Sequence, residues 1–80
     1  MYVLMSSTPG CVVAQAASES KQDLSEVLRQ MAIDFVTPRY DNDNELLGDI
    51  LAEIDKATTY WCDEDEEYPY TLQIQKVELI

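Results

Sequence analysis

The acidic residues of this 80-residue chain are crowded into one segment. Eleven of its 16 Asp and Glu residues lie between positions 41 and 67, where Lys56 is the one basic residue. This segment therefore supplies nearly all of the formal net charge of −11. Carboxylates at this density repel one another, and they attract a positively charged surface over long range. The chemistry that they favour is binding to a Lys- and Arg-rich partner.

Two groups of residues stand out within the acidic segment. Glu45, Asp49 and Glu53 are spaced by four, which places them on one face of a helix, about 6 Å apart along its axis. The second group is a run of acids flanked by aromatic residues: Tyr60, Trp61, Asp63, Glu64, Asp65, Glu66, Glu67 and Tyr68. Phosphates advance about 3.4 Å per step along a DNA strand, so the helical carboxylates match every second phosphate. We predict that the acids of both groups mimic phosphates and that the aromatic residues anchor the partner.

Simpler interpretations of the same residues stay open. The acidic helix face is also what a solvated surface would present, and the run 63–67 is also typical of a loop that keeps a protein in solution. For Trp61 and Tyr70, a position in or at the edge of the core is the favoured alternative to an exposed anchor, because large aromatic side chains dominate small cores.

Other chemistry is poorly supported. The chain has no His, which excludes Ser-His-Asp and Cys-His machinery and His metal ligands. Cys11 and Cys62 are too few for a zinc site, and we expect free thiols. Residues 41–45 begin like a calcium loop, but Leu46 and Ala52 occupy the places that require Gly and Glu. We expect no enzymatic activity, no cofactor, no metal, and no direct binding to nucleic acid or to an anionic membrane.

Strand patterns flank the centre of the chain. The apolar runs 2–5 and 11–14 predict a hairpin, with residues 6–10 as the turn and a Pro-Gly pair suited to a type II turn. Residues 70–80 predict a final strand whose apolar phase changes, so we expect a bulge near 75–76.

Two helical patterns lie between these strands. The first helix begins at a cap on Ser18 or Ser20 and ends at or before Thr37, because proline follows. The second begins at Asn42 or Asp43 and fades over residues 56–58. Their predicted apolar faces are Leu24, Val27, Leu28, Met31 and Phe35, and Leu46, Leu47, Ile50, Leu51 and Ile54.

The pattern predicts one α+β domain spanning residues 1–80. We expect a three-stranded antiparallel sheet packed by two helices, in the order β-β-α-α-β. The sequence contains no apolar run of transmembrane length and no signal-peptide pattern, so we expect a cytoplasmic protein.

The acidic segment and the sequence from Tyr60 to Tyr68 resemble small, acidic, phage-encoded inhibitors of host defence, namely anti-CRISPR proteins and DNA-mimic anti-restriction proteins. This resemblance implies a protein that occupies the site where a nuclease complex receives DNA, inside the host cytoplasm. Residues 39–47 are also similar to the loop and helix that present acids in barstar-like ribonuclease inhibitors.

Two hypotheses of function follow. The first is a non-enzymatic inhibitor whose acidic face competes with nucleic acid for a basic site on a nucleic-acid-binding protein or nuclease complex. The alternative is an interaction or assembly module without nucleic-acid mimicry. It would bind a protein partner, or a second copy of itself as a homodimer, through apolar strands such as residues 70–80.

Overall fold

The computed structural model describes residues 1–63 and 69–78, which form a two-layer α+β fold. The elements are β1 (Tyr2–Thr8), β2 (Cys11–Ser18), α1 (Lys21–Arg39), α2 (Asn44–Lys56), β3 (Tyr60–Asp63) and β4 (Tyr70–Lys76). The four strands form an antiparallel sheet with the order β2-β1-β4-β3. Helix α1 packs on one side of this sheet, and α2 packs mainly against α1. The α+β class and the two helices are confirmed, whereas the expected number of three strands is wrong.

The additional strand is β3, which forms one edge of the sheet. It pairs with β4 from Tyr60 opposite Gln73 to Asp63 opposite Tyr70. The sequence pattern predicts no strand over residues 60–63, because β3 has only four residues. Alternation over four residues is too short to separate a strand from a loop.

The N-terminal hairpin is longer than predicted. Thr8 pairs with Cys11, so the strands continue through most of the expected turn and leave only Pro9 and Gly10 between them. Gly10 has φ +83°, the value required at the third position of a type II turn, and glycine adopts it without steric cost.

The bulge lies in this hairpin and not in the C-terminal strand. The register of β1 with β2 shifts between Leu4 and Met5, which leaves Gln15 as the extra residue. The pairing of β1 with β4 is uninterrupted, so the bulge predicted near residues 75–76 is wrong. Strand β4 ends at Lys76, and the predicted strand residues Leu79 and Ile80 lie outside the described residues.

Side chains cap both helices at their N-termini. The Ser20 hydroxyl accepts a hydrogen bond from the Asp23 amide at 3.3 Å, and the Asp43 carboxylate accepts one from the Leu46 amide at 3.0 Å. Helix α1 continues to Arg39 with Pro38 inside its last turn, so its predicted end at or before Thr37 is wrong. Proline is tolerated here because the carbonyl that loses its helical donor belongs to Asp34, an exposed residue that water can reach.

The core lies between α1 and the sheet. Its buried apolar residues are Leu4, Leu24, Leu28, Ala32, Val36, Ile54, Trp61, Leu72 and Ile74. The buried face of α1 is rotated from the predicted one, because Ala32 and Val36 are fully buried while Val27 is 40% exposed. A small residue such as Ala32 gives no sequence signal of burial, although it lets a helix approach a sheet closely.

The other side of the sheet carries no helix within the described residues. We call this side the open face and define it by the strand residues that point away from the helices. They are Val3, Met5, Ser7, Val12, Ala14, Ala17, Tyr60, Cys62, Thr71, Gln73 and Gln75. In β1, β3 and β4 they alternate with the buried residues, as a pleated strand requires, whereas β2 has no buried residue.

Candidate functional site

Helix α2 presents three of the predicted site residues as one exposed row. Glu45, Asp49 and Glu53 are all exposed, and the predicted arrangement on one helix face is confirmed. We call this row the acidic stripe. The opposite face of α2 packs inward through Ile54, which is fully buried, and through the partly buried Leu47, Ile50 and Leu51.

The acidic stripe costs the helix stability. Like charges four residues apart destabilise a helix by roughly 0.2–0.5 kcal/mol per pair, and the stripe contains two such pairs. Lys56, at the end of α2, is its only basic residue. A helix face selected only for solvation gains stability from interleaved lysines, so this composition favours a role beyond solubility.

A cleft beside the acidic stripe separates α2 from β3. It is lined by Ile50, Glu53, Trp61, Cys62 and Asp63. Two carboxylates, one from each element, therefore face the same cleft. Glu53 belongs both to this cleft and to the acidic stripe, so the two form a continuous acidic surface.

Asp63 points into the fold instead of into solvent. It is the last residue of β3, and its side chain is only 10% exposed. The Tyr40 hydroxyl donates a hydrogen bond to Asp63 Oδ1 at 3.1 Å, and Arg39 Nε lies 4.0 Å from Oδ2. The Oδ2 atom is buried and accepts no hydrogen bond from a described residue. Because α1 ends at Arg39, its C-terminus delivers both partners to the strand end.

The expected role of Asp63 as an exposed phosphate mimic is therefore corrected. The acid run begins with a carboxylate that ties the edge strand to α1, and sequence reasoning missed Arg39 and Tyr40 as its partners. Their contacts with Asp63 span 24 and 23 residues along the chain, so no local sequence pattern predicts them. The other acids of the run, Glu64, Asp65, Glu66 and Glu67, and also Tyr68, lie outside the described residues.

The two described aromatic site residues point to opposite sides of the sheet. Trp61 is 6% exposed and belongs to the core, so its predicted role as an exposed anchor is wrong and the core interpretation is confirmed. Tyr60 is 56% exposed and lies on the open face. Successive strand residues alternate in direction, so an anchor role for both residues on one surface was never compatible with a strand.

Trp61 is held by an aromatic cluster. Phe35 of α1 stacks on Tyr70 of β4 with ring centroids 4.2 Å apart, and Trp61 meets both rings edge-on, at 6.3 and 6.4 Å. The Arg39 guanidinium lies over the Phe35 ring, 4.9 Å from its centroid. Burial raises the pKa of the Tyr70 hydroxyl, and a hydrogen bond with Ser6 lowers it to a smaller extent. The cluster fixes β3, and with it the floor of the cleft.

Searches for related proteins and for other kinds of site give negative findings. Comparison of the chain with protein-family models, with curated proteins and with solved structures finds no match. Among residues 1–63 and 69–78, no group of three or more His, Cys, Asp or Glu is arranged to hold a metal ion. In the same part of the chain, no helix has the length and apolar character needed to cross a membrane. Both described cysteines are free thiols.

Proposed function

We propose that this protein is a non-enzymatic inhibitor that uses its acidic surface to occupy a basic site on a nucleic-acid-binding protein. The acidic surface comprises the acidic stripe and the cleft beside it. The observation that carries the proposal is the exposed row Glu45, Asp49 and Glu53, which has no basic residue between its members. The anti-CRISPR and anti-restriction type of inhibitor is the form of this function that we favour.

The geometry of the acidic stripe supports competition with a nucleic acid. Carboxylates four residues apart on α2 rise about 6 Å, close to the span of about two phosphate steps along a DNA strand. A Lys- or Arg-lined channel that receives phosphates would meet the stripe at a similar spacing. The net charge of −11 adds long-range attraction and raises the association rate.

The cleft supports the same function at shorter range. Glu53 is exposed and lines the cleft. Asp63 also lines the cleft, but its side chain is only 10% exposed and Arg39 Nε already lies 4.0 Å from its Oδ2 atom. The exposed Glu53 carboxylate is therefore the group of the cleft that a Lys or Arg side chain of the partner would bind.

Capture from a bacterial lysate tests the proposal. The full chain is immobilised, the lysate is treated with nuclease, and bound proteins are eluted with duplex DNA and identified by mass spectrometry. We expect nucleic-acid-binding proteins or nuclease complexes that the DNA displaces. Bound proteins that duplex DNA fails to displace would contradict nucleic-acid mimicry.

A matched pair of triple variants controls for net charge. E45Q/D49N/E53Q neutralises the acidic stripe, and E19Q/E26Q/E78Q removes the same charge from exposed acids elsewhere. We expect the first variant to lose the DNA-displaceable proteins and the second to retain them. Equal loss in both variants would show that overall charge matters and that the stripe has no specific role.

A further inference from the structure

The described residues of the open face lack charge, which is unusual for the side of a sheet that no described helix covers. None of its eleven described residues is charged, although charged residues make up 26% of the chain. Val12 is 68% exposed and Tyr60 56% exposed at its two edges, and Val3 and Met5 lie between them. Apolar side chains without charged neighbours are typical of a surface that another protein covers.

The adjoining edge strand has the same character. Strand β2 forms one edge of the sheet, and its sequence from Cys11 to Ser18 contains no charged residue and no proline. Edge strands that face solvent usually carry a charge or a proline that blocks association. The bulge at Gln15 is the one protective feature of β2, so the uncharged surface extends from the open face to this edge.

We propose that a second copy of this chain packs against the open face, sheet against sheet. Two chains that each carry −11 meet most easily where neither presents a charge. Stacked sheets lie about 10 Å apart, and this arrangement places both α2 helices on the outside, separated by two sheets and by more than a Debye length of about 8 Å. A basic partner would be drawn to the acidic surface instead, so an identical chain is the occupant that the charge distribution favours.

The side chains of the open face complement one another under two-fold symmetry. One row across the sheet runs Val12, Ser7, Thr71 and Cys62, and the next runs Ala14, Met5, Gln73 and Tyr60. A two-fold axis parallel to the strands lays β2 of each copy over β3 of the other. Tyr60 then meets Ala14, and Val12 meets Cys62. The largest side chain is thereby matched with a small one, Met5 meets the uncharged Gln73, and the two β3 strands lie at opposite edges of the pair.

The size of the face predicts a weak dimer. Three strands about 24 Å long and the four-residue β3, about 13 Å long, are spaced about 4.8 Å apart and give a flat footprint of roughly 400 Å² per copy. The two copies together bury roughly 800 Å², which is less than the roughly 1,000 Å² of a stable specific interface. We therefore expect association that depends on concentration, not a permanent complex.

Sedimentation equilibrium of the full chain, from micromolar to millimolar concentration, tests the proposal. We expect the average mass to rise from 9.1 kDa toward twice that value.

Q73K places a charge at the centre of the open face, and Q22K makes the same change on an exposed position of α1. V12K and V27K form a second pair with equal charge. We expect Q73K and V12K to weaken the dimer at least about tenfold and the two α1 variants to leave it unchanged. Circular dichroism and a urea titration of each variant check that the fold is retained.

Three outcomes would overturn the proposal. The first is a wild-type chain that stays monomeric throughout, and the second is equal weakening by the open-face and α1 variants. The third is a dimer that V12K breaks while Q73K leaves it intact, which would indicate strand pairing at the β2 edge. The test is independent of the proposed inhibitor function, because E45Q/D49N/E53Q leaves the open face unaltered.

Discussion

The helix-covered side of the sheet and the open face differ in packing and in charge. The covered side holds the core and is bounded by the acidic stripe of α2, whereas the open face carries neither a charge nor a covering helix in the described part of the chain. Because the exposed acids of α2 lie on one side and the open face is uncharged, one small chain presents an acidic surface and a neutral surface. Salt should affect the two in opposite directions, since screening weakens attraction to a basic partner and relieves repulsion between identical chains.

Substitutions at two adjacent residues of β4 should give the largest difference in the free energy of unfolding between the two sides of the sheet. Leu72 is fully buried on the covered side, and Gln73 is exposed on the open face. We expect L72A to lower the free energy of unfolding by about 2–5 kcal/mol, through lost burial and a new cavity. We expect Q73A to change it by less than about 0.5 kcal/mol. Urea denaturation at micromolar protein measures both, and similar losses would refute the assignment of the two sides.

The contact between Tyr40 and Asp63 gives the next largest effect. The hydroxyl donates to a buried carboxylate, and such bonds contribute about 1.5–3 kcal/mol. We expect Y40F to destabilise the fold by that amount. A double-mutant cycle with D63N isolates the pair, and we expect the two changes to be non-additive. Additive effects would show that the two side chains act independently.

Relief of repulsion within the acidic stripe gives a smaller effect of opposite sign. D49K turns two like-charged pairs into opposite-charged pairs with Glu45 and Glu53, and we expect a stabilisation of about 1 kcal/mol. The same variant should bind the captured partner more weakly. A variant that gains stability and also keeps full binding would favour the simple solvated-face interpretation.

Substitution of Tyr70 should have the smallest effect on stability, and this effect should be confined to alkaline pH. Burial raises its pKa from the ordinary value of 10.0, so the neutral hydroxyl is favoured in the folded state. Its contribution to stability is complete below about pH 10 and is lost as the pH rises through the folded pKa. We expect the stability of Y70F to fall less steeply over this range. Parallel slopes in urea titrations of the two proteins would contradict the assignment.

Periodicity in the sequence predicted the helices, the hairpin and the acidic stripe, because each depends on residues close together in the chain. It missed β3, which is short, it left the position of Trp61 open between anchor and core, and it placed Asp63 on the surface. These outcomes have one cause, since the direction of these side chains depends on β3 pairing with β4. The contacts of Asp63 with α1 join distant parts of the chain.

The uncharged open face could not be predicted from the sequence for a related reason. Its residues alternate with core residues in four separate strands, and they form one surface only after the strand order is known. Once the strands are assigned, the absence of charge at alternating positions such as 3, 5, 71 and 73 is readable from the sequence. The strand register, which the sequence does not reveal, is therefore what separates the two surfaces.

The salt dependence of partner binding is the most direct test of the role of the acidic stripe. The affinity of the immobilised chain for its captured partner is measured at about 0.05 M and about 0.5 M NaCl, with wild type and E45Q/D49N/E53Q side by side. We predict that wild-type affinity falls steeply with salt, and that the variant binds weakly at low salt with a shallower dependence. Wild-type affinity that stays the same at both salt concentrations would contradict binding through the acidic stripe.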